Sequence, residues 1–224
     1  MNRARLYDWE LAHVAHRSDE DASFYTDQAT GPTLELACGT GRLTQHLRLA
    51  APHVVGLDLD GEMLAAARVR TASPGRGTVH LVQADMRRFH FDRRPFSLVA
   101  IPYNSLQLLT AVDDQAACLA CAAAVLQPGG RLALEISTFA AGGPVGPEKL
   151  AEAEGIELWA SLEVDGPLVR YRKRFAGAVE EEEEITLRDY AQGEFEEVLA
   201  TAGFAVEAAR PFRRGRLVTA APTG

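Results

Sequence analysis

LELACGTGRL, residues 34–43, sets two glycines directly after an apolar run and directly before a helical pattern. A turn of this kind occurs wherever a strand meets a helix, so its flanks decide what it means. Working outward, short β-branched runs alternate with helical stretches, the pattern of a parallel sheet covered by helices on both faces. Strands are predicted at 33–38, 53–59, 78–84, 96–102, 131–137, 205–212 and 216–220, and helices at 41–50, 61–70 and 113–127 with a weaker one at 86–89. Crossovers of that length join parallel neighbours. Only RRG, residues 213–215, joins the last two strands, so these form an antiparallel pair at one edge.

The chain of 224 residues reads as one domain with two additions. Residues 1–31 are expected to form a helical cap segment carrying Tyr7, Trp9, Phe24 and Tyr25, and residues 138–190 an inserted β-rich cap or acceptor-side segment, opening on the break STFAAGGPVGPEKL. Within the insertion Arg170, Arg172 and Arg174 alternate with apolar and mixed residues, as on a half-buried strand. Reversal about Gly177 places Arg174 opposite Glu180, Arg172 opposite Glu182 and Arg170 opposite Glu184, so that a hairpin carries opposite charges on its solvent face. An anion site on the arginines or a metal site on the glutamates is the sharper alternative to this solvated hairpin.

A formal net charge of −8 argues against a nonspecific grip on nucleic acid or anionic lipid. The amino end lacks the apolar core of a signal peptide and no run approaches ~18 apolar residues, which predicts a cytoplasmic protein without a membrane span. Cys38, Cys118 and Cys121 are expected to be reduced. The CxxC pair has no second pair at zinc spacing, so it reads as small core residues on a helix, and no metal is expected.

Gly39, Thr40 and Gly41 fall between strand and helix, at the sheet edge where ligands bind in open α/β folds. Glycines let backbone approach a ligand, and the amides of a helix start attract polar groups. Thr44 stands where a dinucleotide fingerprint has its third glycine, which weakens a pyrophosphate reading. Asp58 ends the second strand where a carboxylate grips a ribose diol, in nicotinamide dinucleotides and adenosyl ligands alike; its alternative role is a helix N-cap. Asp85, at the end of the third strand, is placed to accept from an adenine amine beside Met86.

The ordered motifs LELACGTGRLT, VVGLDLDGEML, VQADMRRF and LQPGGRLALEI resemble the class I S-adenosylmethionine-dependent methyltransferases of small-molecule type, over about residues 7–137. The resemblance implies a Rossmann-like α/β fold with a seven-stranded, mostly parallel sheet in order 3-2-1-4-5-7-6. It also implies that LQPGG turns the chain into strand five. Gly39 and Gly41 would pass under the methionine part of S-adenosylmethionine, and Glu35 would order the loop or reach the methionine amine. Asp58 would hold the ribose, and Asp85 with Met86 would flank adenine. Ala37, Thr40, Leu59, Met63 and Pro102 complete the implied cofactor set, and Tyr25 or Tyr7 reaches for the methionine carboxylate. In layout, the helical amino end and the insertion are similar to methyltransferases of amino sugars and other small amines.

Transfer from a sulfonium needs an in-line, unprotonated lone pair, so positioning and dehydration suffice without a triad. Tyr103 and Asn104, in LVAIPYNSLQLL, are the candidate catalytic residues that steer an amine or hydroxyl, with a structural role for Tyr103 as the alternative. Pro102 and Tyr103 match the end of an Asp/Asn-Pro-Pro-Tyr motif, but Ala100 and Ile101 replace its start, which disfavours a nucleobase acceptor. His13 and His16 suit a base, a metal or simply an exposed helix. The expected function is methylation of a small-molecule acceptor, an amine nitrogen ahead of a hydroxyl. A non-catalytic cofactor-binding protein, a nicotinamide dehydrogenase and an RNA or protein methyltransferase are the alternatives. Acceptor identity and oligomeric state stay open.

Overall fold

A computed structural model of the chain describes residues 1–14, 19–73, 75–139 and 145–223. Two helices, α1 (Arg3–His13) and α2 (Asp19–Gln28), precede the alternation β1 (Thr33–Leu36), α3 (Arg42–Ala50), β2 (His53–Asp58), α4 (Gly61–Arg70), β3 (Thr78–Gln83) and β4 (Phe96–Ile101). Helix α5 (Val112–Val125) leads straight into β5 (Leu126–Ser137). The chain then leaves the sheet for β6 (Val145–Ala153), β7 (Ile156–Asp165), β8 (Leu168–Gly177) and β9 (Glu181–Arg188), and returns through α6 (Glu194–Thr201) to β10 (Phe204–Phe212) and β11 (Gly215–Pro222).

The first sheet has the order β3-β2-β1-β4-β5-β11-β10, which is the expected 3-2-1-4-5-7-6 once the inserted strands are set aside. Strands β1 to β5 are parallel, and β11 runs antiparallel to both neighbours. Period-two alternation sorts the buried residues onto two faces. Leu34, Leu36, Val99 and Ile101 meet Leu119 of α5 and Phe195 of α6, while Val54, Leu98 and Ala100 meet Tyr25 of α2 and Leu43 and Leu47 of α3. With both faces covered, β1 is buried at all four positions, as a central parallel strand must be. No helix of the described residues is long and apolar enough to cross a membrane.

The insertion is larger than the predicted hairpin: β6 to β9 form a four-stranded antiparallel sheet. Its charge register is displaced by two residues, with Arg174 opposite Glu182, Arg172 opposite Glu184 and Arg170 opposite Thr186. The displacement arises because Ala176 and Gly177 stay paired to Glu157 and Ile156 on β7, which pushes the reversal past Gly177. A shift of two keeps every side chain on its face, so opposite charges still meet: Arg172 Nε donates to Glu184 at 2.6 Å. On the other face, Leu6 and Trp9 of α1 pack on Ile156, Leu158 and Phe175. Beside them the buried Lys173 ammonium donates to Glu10 at 2.7 Å and lies 2.6 Å from Glu183, and two acids offset the desolvation of one lysine.

Three local expectations fail for identifiable reasons. Residues 86–89 form a turn, because the Asp85 carboxylate accepts the Arg87 amide at 2.9 Å and diverts the backbone from a helix. LQPGG belongs to β5, where Leu126 pairs with Phe96 before the register shifts to Leu98 opposite Arg131. Helix α6 was not anticipated, although Glu194, Glu196 and Glu197 in its first turn and Phe195, Val198 and Leu199 at helical spacing carried a signal.

Candidate active site

Backbone strain concentrates where β1 and β4 end. Ala37 (φ +54°), Tyr103 (φ +58°) and Asn104 (φ +58°) hold left-handed conformations that cost non-glycine residues on the order of 1–2 kcal/mol each. Gly39 (φ +55°) and Gly41 (φ +79°) complete the first turn without that cost. The two glycines differ in what surrounds them. A Cβ on Gly41 would stand 3.0 Å from the Ala67 Cβ and 3.2 Å from its Cα, so this glycine lets α3 start against α4; a Cβ on Gly39 would meet only the Tyr7 ring, at 3.7 Å. Gly41→Ala is expected to lower unfolding stability by about 1–2 kcal/mol, more than Gly39→Ala, as read from urea midpoints.

The turn is pinned from two sides. Asp58 Oδ2 accepts the Gly39 amide at 2.7 Å and its Oδ1 accepts the Asp60 amide at 2.9 Å. The helix N-cap reading of Asp58 is thereby corrected, because Asp60 caps α4 by accepting the Glu62 amide at 2.8 Å. The Asp58 carboxylate retains lone pairs for further donors. Next to it Leu59 presents an apolar side chain that is 66% exposed. From the other side, Thr40 Oγ1 donates to Asp8 of α1 at 2.6 Å, and Asp8 also pairs with Arg70 at 2.8 Å.

Between the ends of β1 and β4 lies a hollow of about 30 Å³, lined among others by Tyr7, Glu35, Ala37, Arg42, Pro102 and Tyr103. That is room for roughly one water, or for one small polar head group. Burial pushes the Glu35 carboxyl up to about 8, against the hydrogen bond from Thr44 Oγ1 at 2.5 Å and the nearby Arg42 charge. Arg42 itself pairs with the fully buried Asp21 of α2 at 2.5 Å. The Tyr103 ring meets Tyr7 edge-on, with centroids 6.4 Å apart. Asn104 Oδ1 accepts the Ser137 hydroxyl at 2.8 Å, and the buried Gln107 amide bridges Ser137 to Arg188, tying this loop to both sheets.

At the end of β3 the Asp85 carboxylate is clamped by Arg87, with Nη2 to Oδ2 at 2.7 Å and Nε to Oδ1 at 3.0 Å, which holds its pKa at about 2. Arg87 reaches on to Asp114 at 3.0 Å, and Met86 packs half-buried against the core. Met63 is buried within α4.

Glu35, Ala37, Thr40, Pro102 and Tyr103 therefore gather around the hollow, with Gly39 and Asp58 joined to its rim. Tyr25 does not line it, being fully buried with Leu43, Leu47 and Leu98, its ring against Phe24 at 5.0 Å. His13 stacks on Trp9 at 4.7 Å with Nδ1 2.8 Å from the Trp9 carbonyl, whereas His16 lies outside the described residues. Cys118 is a core residue. Sequence reasoning passed over Arg42 and Arg87, both of which follow a singled-out residue by one or two positions.

A sequence profile of the family described as "Methyltransferase domain" matches residues 33–130. The dTDP-3-amino-3,4,6-trideoxy-alpha-D-glucopyranose N,N-dimethyltransferase of Streptomyces venezuelae is 30% identical over 196 residues, covering 78% of this chain and 75% of the relative. The chain belongs to the class I S-adenosylmethionine-dependent methyltransferases. Among solved structures, this methyltransferase is similar to Streptomyces venezuelae DesVI, with TM-score 0.83 and 25% identity over 99% of both chains. It is also similar to CalS10, an amino pentose methyltransferase from Micromonospora echinaspora solved with S-adenosylmethionine bound, with TM-score 0.79 and 27% identity over 96% of this chain and 95% of that one. S-adenosylmethionine is accordingly its cofactor.

Proposed function

We propose that this methyltransferase acts on the amine nitrogen of a small molecule of the amino-sugar class. The observation that carries the reading is the extent of the likeness. Similarity to an amino-pentose methyltransferase runs past the cofactor-binding half, through the α1–α2 segment and the β6–β9 sheet, over nearly the whole of both chains. On this reading those two additions, within residues 1–31 and 138–190, cover the acceptor side; Tyr7 of α1 lines the hollow beside Tyr103.

The residues present fit the cofactor. A hollow sized for one head group, with a buried carboxyl at Glu35, suits the methionine ammonium. Asp58, still holding Gly39 and Asp60, takes the ribose hydroxyls, Leu59 offers its exposed apolar side chain beside them, and Asp85 with Met86 borders adenine. Bound there, the cofactor supplies an electrophilic methyl group. Tyr103 and Asn104, fixed by strained backbone and by Ser137, orient the acceptor nitrogen in line and exclude water, and the nitrogen must arrive unprotonated. Three free cysteines fit a cytoplasmic setting, and the net charge of −8 disfavours an RNA acceptor.

The test is to incubate the protein with S-adenosylmethionine and matched pairs of amino sugars and their hydroxy analogues, reading S-adenosylhomocysteine release and acceptor mass. Methylation of the amines alone is expected. Transfer only to hydroxyls, or cofactor binding with no turnover across the panel, overturns the reading.

A further inference from the structure

Gln107 is a fully buried amide in the short 3-10 helix, Ser105–Leu108, that follows the left-handed Asn104. Burying an amide where a leucine or methionine would fit costs free energy unless its polar atoms are bonded, and here they are. Nε2 donates to the Ser137 carbonyl at 2.9 Å and to the Arg188 carbonyl at 2.8 Å, and Oε1 accepts the Ser137 amide at 2.8 Å. Turning the amide over would set its oxygen against two carbonyls, so its orientation is fixed.

The partners decide what those bonds do. Ser137 ends β5 and Arg188 ends β9, so one amide nitrogen holds the last carbonyl of a main-sheet strand and the last carbonyl of the second sheet. Arg188 is tied to the same loop a second time by Nη1, which donates to the Thr110 carbonyl at 3.3 Å, and its Nη2 pairs with Glu194 at 2.6 Å. The Ser137 hydroxyl donates to Asn104 Oδ1 at 2.8 Å, and the Gln107 backbone amide donates to the Asn104 carbonyl at 2.8 Å.

Asn104, Gln107 and Ser137 thus close a ring of hydrogen bonds around a residue whose φ of +58° has to be held by its surroundings. Tying the loop to the two sheets requires only the backbone of Ser137 and Arg188. The hydroxyl link from Ser137 to Asn104 adds nothing to that tie; it sets the angle of one side chain. With Oδ1 engaged, the Nδ2 donors of Asn104 remain for an oxygen of a bound molecule.

We propose that Gln107 is a positioning residue for methyl transfer: by clasping Ser137 it sets the Asn104 side chain, and by holding Arg188 it keeps the second sheet aligned with it, so that the acceptor meets the methyl group in line. The proposal rests on the reading above in which Asn104 orients the acceptor amine. Displacing an orienting group by about 1 Å can cost on the order of a hundredfold in rate.

The test is a mutant cycle in kcat, run with S-adenosylmethionine and the amino sugars of the panel above. Q107M nearly keeps the side-chain volume and loses the bonds to Ser137 and Arg188. It should lower kcat about tenfold or more, while S-adenosylhomocysteine binding, read by calorimetry, changes by about twofold or less. Q107E, whose protonated carboxyl remakes the Ser137 clasp, should recover part of the loss. In an N104A background the same Q107M change should lower kcat by no more than about twofold, because the group it positions is gone. An effect of equal size in both backgrounds, or wild-type kcat in Q107M, overturns the proposal.

If Q107M does not fold, S137A carries the test, because it removes the hydroxyl link and leaves the clasp. Wild-type kcat in S137A overturns the proposal, and a loss that vanishes in the N104A background supports it. Failure of the underlying reading has a different signature. N104A with wild-type kcat takes Asn104 out of the reaction, a wild type that methylates none of the amines takes away the amine acceptor, and in either case the role of Gln107 falls as well.

Discussion

Replacing Asp58 by alanine is expected to weaken S-adenosylmethionine binding by about 2–4 kcal/mol, roughly 30-fold to several hundred-fold. Two losses combine. The proposed charge-assisted hydrogen bonds to the ribose disappear, worth about 1.5–3 kcal/mol. The Gly39 and Asp60 amides also lose their acceptor, so the glycine turn and the start of α4 are no longer held in register. Asp58→Asn separates the two, because its single carbonyl oxygen accepts one amide while the negative charge is gone. Titration with S-adenosylhomocysteine should rank wild type above Asn above Ala, with urea unfolding as the folding control. An alanine variant that is folded and binds like wild type would show that Asp58 serves the turn alone.

The cofactor-free enzyme should lose stability between pH 4.5 and about 8 because of one residue. Below pH 4.5 Glu35 is protonated in the folded and unfolded chain alike and contributes no pH dependence. Between pH 4.5 and about 8 the folded protein keeps a proton that the unfolded chain has released, so stability falls as pH rises, and above about 8 the loss is complete. Its size is roughly 3–5 kcal/mol. Glu35→Gln, which still accepts from Thr44, should match wild type near pH 4.5 and exceed it near pH 8 by that amount in urea unfolding. Parallel curves for the two proteins would place the Glu35 pKa in the ordinary range. Since the cofactor ammonium is proposed to meet Glu35, binding at pH 7 should also release a proton, visible as a buffer-dependent heat.

The positions of Glu35, Gly39, Asp58 and Asp85 were legible because each lies at the carboxyl end of a strand whose apolar run and following helix are local patterns. What each side chain does there was less legible. Asp58 and Asp60 are both acids before the same helix, and only the folded backbone assigns the cap to Asp60. Tyr25 reads as a pocket aromatic until the phase of α2 against α3 is known, which turns it into the core. Arg87 was hidden because its role comes from Asp85 and from Asp114 on a distant helix. The second sheet suffered most: β6 has bulged pairing with β7, and the β8–β9 register depends on how far β8 remains bonded to β7. That is non-local information that no window of sequence contains.

Strand β11 lies between β5 and β10, so residues 215–222 separate two strands that both precede them in the chain. Until those residues leave the ribosome, β5 has an open edge and the inward side chains Leu217, Val218 and Ala220 are missing from the core. Folding of this sheet is therefore completed only after residues 215–222 have emerged, and its longest-range pairing, β5 with β11, waits for them. A ribosome stalled short of residue 215 would hold β5 with one edge unpaired and β10 without its neighbour in the sheet.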